Sequence, residues 1–159
     1  MLVLDAILAH LDACGAPYRT LRHEPTRTSQ DSARLRGEPM SIGGKSLVLK
    51  AADRFVLLVI SASRRASSKS LRTALGVRRL RFATPEELLE LTGCVPGCVP
   101  PFGRPIVPLP LLVDTSILGN ERIAFNPGSL TDSVVMARAD WQRCVEIESV
   151  LDISTPSPP

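Results

Sequence analysis

Two short segments carry residue types suited to chemistry on a charged or ester-bearing ligand. The first is Gly43-Gly44-Lys45-Ser46, which leads into the apolar run Leu47-Val48-Leu49. A lysine beside two glycines sets an ammonium next to backbone that a ligand can approach closely, because glycine has no Cβ. An exposed lysine at a strand end is the other reading of the same residues. The segment is not a phosphate-cradling P-loop: Pro39 stands where the leading glycine would, and the residues after Lys45 have strand rather than helix character. The second segment is Asn126-Pro127-Gly128-Ser129-Leu130-Thr131-Asp132. Its glycine and short polar side chains allow successive N–H groups to converge on an anion or a developing oxyanion, and they also suit an ordinary turn.

The usual nucleophile sets are poorly represented. His10 and His23 are the only histidines, and His10 falls within a helical apolar pattern, so a histidine-based triad is not expected. Cys94 and Cys98 have C-x3-C spacing, but a structural zinc site needs four ligands and no other cysteine or histidine lies nearby in sequence. No metal and no cofactor are therefore expected. Cys14, Cys94, Cys98 and Cys144 are scattered and read as free thiols. A redox role for Cys94 and Cys98 would require a low-pKa thiolate.

The elements that must position these residues can be traced from capping and periodicity. Val3, Leu4, Ile7, Leu8 and Leu11 repeat at helical spacing up to Gly15, and Tyr18 to Arg22 suits a short strand. Thr28 is a helix cap for a segment ending near Arg36. Lys45 to Lys50 and Arg54 to Ile60 read as strands joined by a tight connection, the second β-branched enough to be buried. Ser67 or Ser68 starts a helix closed by Gly76, and Arg79 to Phe82 is a strand. Thr84-Pro85-Glu86-Glu87 opens a helix that stops at Gly93. The Pro- and Gly-rich run from Cys94 to Pro105 predicts an ordered loop or very short strands. Leu111 to Asp114, Arg122 to Phe125, Ser133 to Met136 and Cys144 to Ile147 are strand candidates, with one helical turn over Ala139 to Arg143.

The 159-residue chain, 44% hydrophobic and 22% charged, has the composition of one globular domain. Residues 1–152 are assigned to that domain and 153–159, rich in Ser, Thr and Pro, to a flexible tail. Helices concentrated before Gly93 and short strands throughout predict an α+β fold, with a curved, mixed, mostly antiparallel sheet surrounded by helices. No apolar stretch reaches the ~18 residues of a membrane span, and the N-terminus lacks the order of a secretory signal, so a cytoplasmic location without membrane association is expected. The formal net charge is +3. Arg64, Arg65, Lys69 and Arg72 begin a basic stretch that runs to Arg81 without an acidic residue, which suits either a solvated face or an RNA-backbone patch.

Four segments in order, Thr28-Ser29-Gln30-Asp31-Ser32-Ala33, Gly44-Lys45-Ser46-Leu47-Val48, Gly97-Cys98-Val99-Pro100-Pro101-Phe102-Gly103 and Ala124-Phe125-Asn126-Pro127-Gly128-Ser129, resemble the YbaK/ProX family. Its members are trans-acting relatives of the editing domain inserted in bacterial prolyl-tRNA synthetases. The resemblance covers roughly residues 1–150. It implies a small pocket for an aminoacyl group and the terminal adenosine, with Lys45 as the functional lysine; Lys45 is expected to bind the terminal phosphate or the ester carbonyl, and backbone N–H groups near Gly97 and Gly128 to hold the oxyanion. Thr28, Ser29, Ser46, Cys98, Pro101, Phe102, Gly103, Asn126, Ser129 and Asp132 become candidate substrate contacts. Cys98 stands where many relatives have Ser or Ala, and Pro100 where many have Ser or Thr. The implied activity is hydrolysis of mischarged aminoacyl-tRNA carrying Ala, Ser, Thr or Cys, and the alternative is a non-catalytic module binding a tRNA end or nucleotide. Implied partners are the tRNA acceptor end and a synthetase or elongation factor, with no DNA.

Overall fold

The capping residues act where the sequence places them. The structure, a computed structural model, describes residues 2–158. Helix α1, Val3–Ala13, buries Ile7 and Leu11 completely. Helix α2, Ser29–Arg36, begins where Thr28 Oγ1 accepts the Asp31 N–H and ends at Gly37, whose φ of 68° lets the chain reverse. Helix α3, Ser68–Leu75, is capped by Ser67 and closed by Gly76. Helix α4, Pro85–Thr92, has a reciprocal capping box between Thr84 and Glu87. Two further helices, α5 (Thr115–Leu118) and α6 (Arg138–Cys144), lie in the C-terminal half.

The strands are β1 (Tyr18–Arg22), β2 (Gly44–Ala51), β3 (Arg54–Ser61), β4 (Arg64–Ala66), β5 (Leu80–Phe82), β6 (Leu111–Asp114), β7 (Arg122–Phe125), β8 (Asp132–Ala137), β9 (Ile147–Leu151) and β10 (Ser154–Pro156). They form a five-stranded sheet in the order β5-β2-β3-β6-β9, a three-stranded sheet β1-β8-β7 and the pair β10-β4. Pairing is antiparallel except for β3 with β6 and β6 with β9. The fold is thus α+β, with mixed, mostly antiparallel sheet flanked by helices. An isolated bridge from Gly43 to Ala124 joins the entrance of β2 to β7, so the two larger sheets meet beside Lys45.

Strand β3 is central and covered on both faces, which is why its apolar run shows no alternation. Leu57 and Val59 face one hydrophobic cluster, together with Phe102, Phe125 and Trp141; Val56, Leu58 and Ile60 face another, with Leu71 and Ile153. Trp141 is fully buried and donates its indole N–H to the Pro101 carbonyl at 3.0 Å.

Two sequence expectations change. The strand expected over Cys144 to Ile147 lies at Ile147–Leu151, because α6 continues to Cys144 in order to bury Trp141 and Cys144 together. The flexible tail expected over 153–159 is instead paired over Ser154–Pro156 with β4. Its anchor is the fully buried Asp114, whose carboxylate accepts the Ile153 N–H at 2.9 Å and the Ser154 hydroxyl at 2.6 Å. Ile153 is itself buried, so apolar contact and satisfied charge offset the ordering of a polar segment.

Candidate functional site

A cleft of about 260 Å³ opens between α2, the entrance of β2 and the Gly97 loop. Thr28, Ser29, Ser32, Ala33 and Arg36 line it from α2, Gly43 to Leu47 from β2, and Gly97, Val99 and Asn126 from the facing loops. Its charged lining residues are Arg27, Arg36 and Lys45, with no carboxylate among them. A cationic cleft without an acid has no carboxylate pair for general acid and base work and favours an anionic or oxyanion-forming ligand.

Lys45 is half-buried, and its Nζ donates to the Arg64 carbonyl at 3.1 Å. Burial lowers its pKa from the ordinary lysine value. Because an ammonium has three N–H groups, this single bond leaves donors for a ligand. The hydroxyl of the neighbouring Ser46 is buried and has no hydrogen-bond partner among the described residues.

Arg36 is not among the residues that the sequence singles out. A basic residue in the last turn of a helix reads as a partner of the helix dipole, and nothing local marks it otherwise. In the structure Arg36 Nε donates to Ser133 Oγ and Nη2 to Asn126 Oδ1, both at 2.9 Å. Desolvation lowers its pKa to about 10, which leaves it cationic at neutral pH. Asn126 in turn donates from Nδ2 to the Gly97 carbonyl at 2.8 Å, the only amide orientation that satisfies both neighbours. On the other side His23 lies 2.8 Å from Ser133 Oγ through Nε2 and 2.8 Å from the Glu24 carbonyl through Nδ1. A carbonyl only accepts, so Nδ1 carries the proton and, in the neutral ring, Nε2 accepts the Ser133 hydroxyl. A continuous polar chain thus runs from His23 through Ser133, Arg36 and Asn126 to Gly97.

The structure gathers Thr28, Ser29, Lys45, Ser46, Gly97 and Asn126 around this cleft and leaves the other predicted residues outside its lining. Gly97 has φ 90°, and its N–H has no protein acceptor among the described residues. Gly128 does not offer its N–H to an oxyanion, because that group donates to the Cys98 carbonyl at 2.9 Å. A Cβ at Gly128 would stand 2.7 Å from Val3, so this glycine lets the loop dock on α1.

Cys98 and Phe102 belong to the core, Phe102 packing edge-on against Phe125 and His10. Pro101 is likewise buried, and Gly103 leaves no room for a Cβ, which would approach the Leu109 carbonyl to 2.8 Å. Ser129 donates to Asp132 at 2.7 Å, a bond that holds the Asp132 carboxyl below its usual range and, with Arg22, closes the turn onto β1. Burial pushes the Cys94 and Cys98 thiols up, the reverse of what a reactive thiolate needs. Of the basic stretch, Arg65 and Lys69 are exposed and Arg72 is partly so, whereas Arg64 donates to the Ser154 hydroxyl and carbonyl and clamps β10.

Among the described residues no helix is long and apolar enough to cross a membrane, and no group of three or more His, Cys, Asp or Glu side chains could hold a metal ion.

Comparison with known proteins identifies relatives of this chain. A family model described as the aminoacyl-tRNA editing domain matches residues 23–144. The chain is 34% identical over 152 residues to the multifunctional Ser/Thr-tRNA deacylase ProXp-y of Escherichia coli, covering 91% of this chain and 89% of that protein. It is 24% identical over 147 residues to the prolyl-tRNA editing protein ProX of Acetoanaerobium sticklandii, covering 89% and 90% of the two chains. The crystal structure of a hypothetical protein superposes with a TM-score of 0.81 at 25% identity, covering 94% of this chain and 99% of the other.

Proposed function

We propose that this chain, which belongs to the aminoacyl-tRNA editing domain family and is a deacylase of the YbaK/ProX type, hydrolyses mischarged tRNAs carrying small amino acids, seryl and threonyl esters foremost. The observation that carries the reading is the cleft itself: Lys45 and Ser46 line a space of about 260 Å³ whose lining contains no carboxylate. Selection of small aminoacyl groups by steric exclusion, with discrimination among Ala, Ser, Thr and Cys left to polar contacts, is part of this reading. The Ser46 hydroxyl is enclosed and unpartnered among the described residues, and a turn about χ1 would bring it to the hydroxyl of a seryl or threonyl group. The relative named as a Ser/Thr-tRNA deacylase supports the same choice.

An aminoacyl ester is already activated, so positioning and charge stabilisation suffice. A water oxygen attacks the ester carbonyl carbon, and the carbonyl oxygen becomes an oxyanion. Lys45 Nζ and the Gly97 N–H stabilise it; Gly128 supports the Gly97 loop rather than donating. Collapse breaks the bond to the ribose oxygen, a proton passes to that oxygen, and free amino acid and uncharged tRNA leave. The acceptor stem lies along Arg65, Lys69 and Arg72, beyond the Arg64 carbonyl that holds Lys45. A synthetase or elongation factor delivers the substrate.

The test is deacylation of tRNAs charged with Ser, Thr, Ala and Cys. Fastest release of Ser and Thr is expected. Retained tRNA binding with no turnover on any of the four would replace the enzyme by a binding module.

A further inference from the structure

We infer that the Arg36 guanidinium holds the phosphodiester joining the terminal adenosine to the rest of the tRNA, an assignment that rests on the deacylase reading above. Arg36 is largely withdrawn from solvent and has no carboxylate partner among the described residues. Arg19, Arg22, Arg34, Arg54, Arg81, Arg122 and Arg143 each reach a carboxylate, and Arg64 and Arg138, which like Arg36 have only neutral partners, lie outside the cleft lining. Arg36 has only the neutral Ser133 hydroxyl and Asn126 amide. Placing a cation away from water without a partner is costly, and a scaffold that merely joined Ser133 to Asn126 would not need a positive charge. An anionic ligand at this position removes the cost.

The unused part of the guanidinium faces the right way. Nε and Nη2 are held from behind, while Nη1 makes no hydrogen bond to the described residues and stands beside Gly43, which lines the cleft. A Cβ at Gly43 would lie 3.7 Å from Nη1 and 2.9 Å from the Ala62 Cβ, so the absent side chain keeps the wall beside the fork open. A fork fixed at two points and free at its tip matches the paired oxygens of a phosphate.

The chemistry of the substrate selects among anions. The aminoacyl ester is uncharged and its α-amino group is cationic or neutral; the phosphodiester is the formal negative charge nearest the ester. Arg36 therefore binds a group whose charge does not change during hydrolysis, leaving Lys45 to the carbonyl. Such an interaction is made equally in ground and transition states and governs binding more than turnover.

The experiment uses 3′-deoxy-3′-serylamino-adenosine, whose amide resists hydrolysis, with and without a 5′-phosphate, titrated into the wild-type protein, Arg36→Lys and Arg36→Gln. The 5′-phosphate is expected to tighten wild-type binding about tenfold or more, as charge-assisted hydrogen bonds do. Arg36→Gln should erase that gain, read as the ratio of the affinities for the two analogues, and Arg36→Lys should keep part of it by charge without the fork. No gain in the wild type, the same gain in Arg36→Gln, or equal loss for both analogues would overturn the assignment. Should Arg36→Gln not fold, an undiminished gain in Arg36→Lys would do so. Failure of the deacylase reading is separate: the wild type would show this binding pattern yet release no amino acid from charged tRNA.

Discussion

Lys45 Nζ donates to the main-chain carbonyl of Arg64 at 3.1 Å, so the cleft lysine is oriented by the backbone of β4 and not by any side chain of the basic stretch. Lys45→Ala removes an oxyanion donor and should lower kcat/KM on seryl-tRNA by about 10²–10³. The fold should survive, since the hydrogen bond that disappears has a main-chain acceptor at the cleft edge; thermal melting checks this. Full activity in that variant would remove lysine from the mechanism.

The lowered pKa of Lys45 sets the direction of its pH dependence. Burial disfavours the ammonium, so the protonated, donating form is lost at a lower pH than for an exposed lysine, whose value is about 10.4. After correction for base hydrolysis of the ester, kcat/KM should fall on the alkaline limb below that value. Lys45→Arg, which stays charged, should flatten the limb in a pH–rate profile; an unchanged limb assigns it to another group.

Ser46 separates stability from function. Its buried hydroxyl has no partner among the described residues, so Ser46→Ala should leave stability unchanged or raise it by up to about 1 kcal/mol in urea unfolding. Hydrolysis of seryl and threonyl esters should drop several-fold relative to alanyl ester. Equal effects on all three esters would show that the hydroxyl does not read the substrate.

Gly128→Ala should destabilise by about 2 kcal/mol or more, combining strain at φ 82° with a Cβ placed 2.7 Å from Val3. Adding Val3→Ala should recover only the part of the clash due to Cγ1, because the Val3 Cβ, also 2.7 Å away, remains, and it should not recover the backbone part. Full additivity of the two substitutions in a double-mutant cycle would refute the clash with Val3 as the cause.

Arg65 and Lys69 are exposed and free to meet RNA. Replacing both with Ala should weaken tRNA binding and reduce its salt slope by roughly 0.9 for each phosphate no longer neutralised. Hydrolysis of a short aminoacyl-adenosine should be unaffected. An unchanged slope would move the RNA path elsewhere on the surface.

Much of this protein is written in short stretches of chain. Thr28, Ser67 and the Thr84–Glu87 box start helices where they stand, and Gly37, Gly76 and Gly93 end them, because capping is decided within a turn. Lys45 is legible for the same reason, as a lysine between glycines and a buried strand. Tertiary structure alone brings Arg36 into the cleft, through Asn126 and Ser133, which lie 90 and 97 positions away. It also orders Ser154–Pro156, whose composition reads as disordered, by offering the buried Asp114 across 40 positions. The glycines divide along the same line: Gly97 opens the cleft and Gly128 docks on Val3, although both sit in loops that look alike in sequence. Local sequence specifies backbone conformation, but whether an N–H, a hydroxyl or a guanidinium remains free for a ligand depends on which distant groups have already satisfied it.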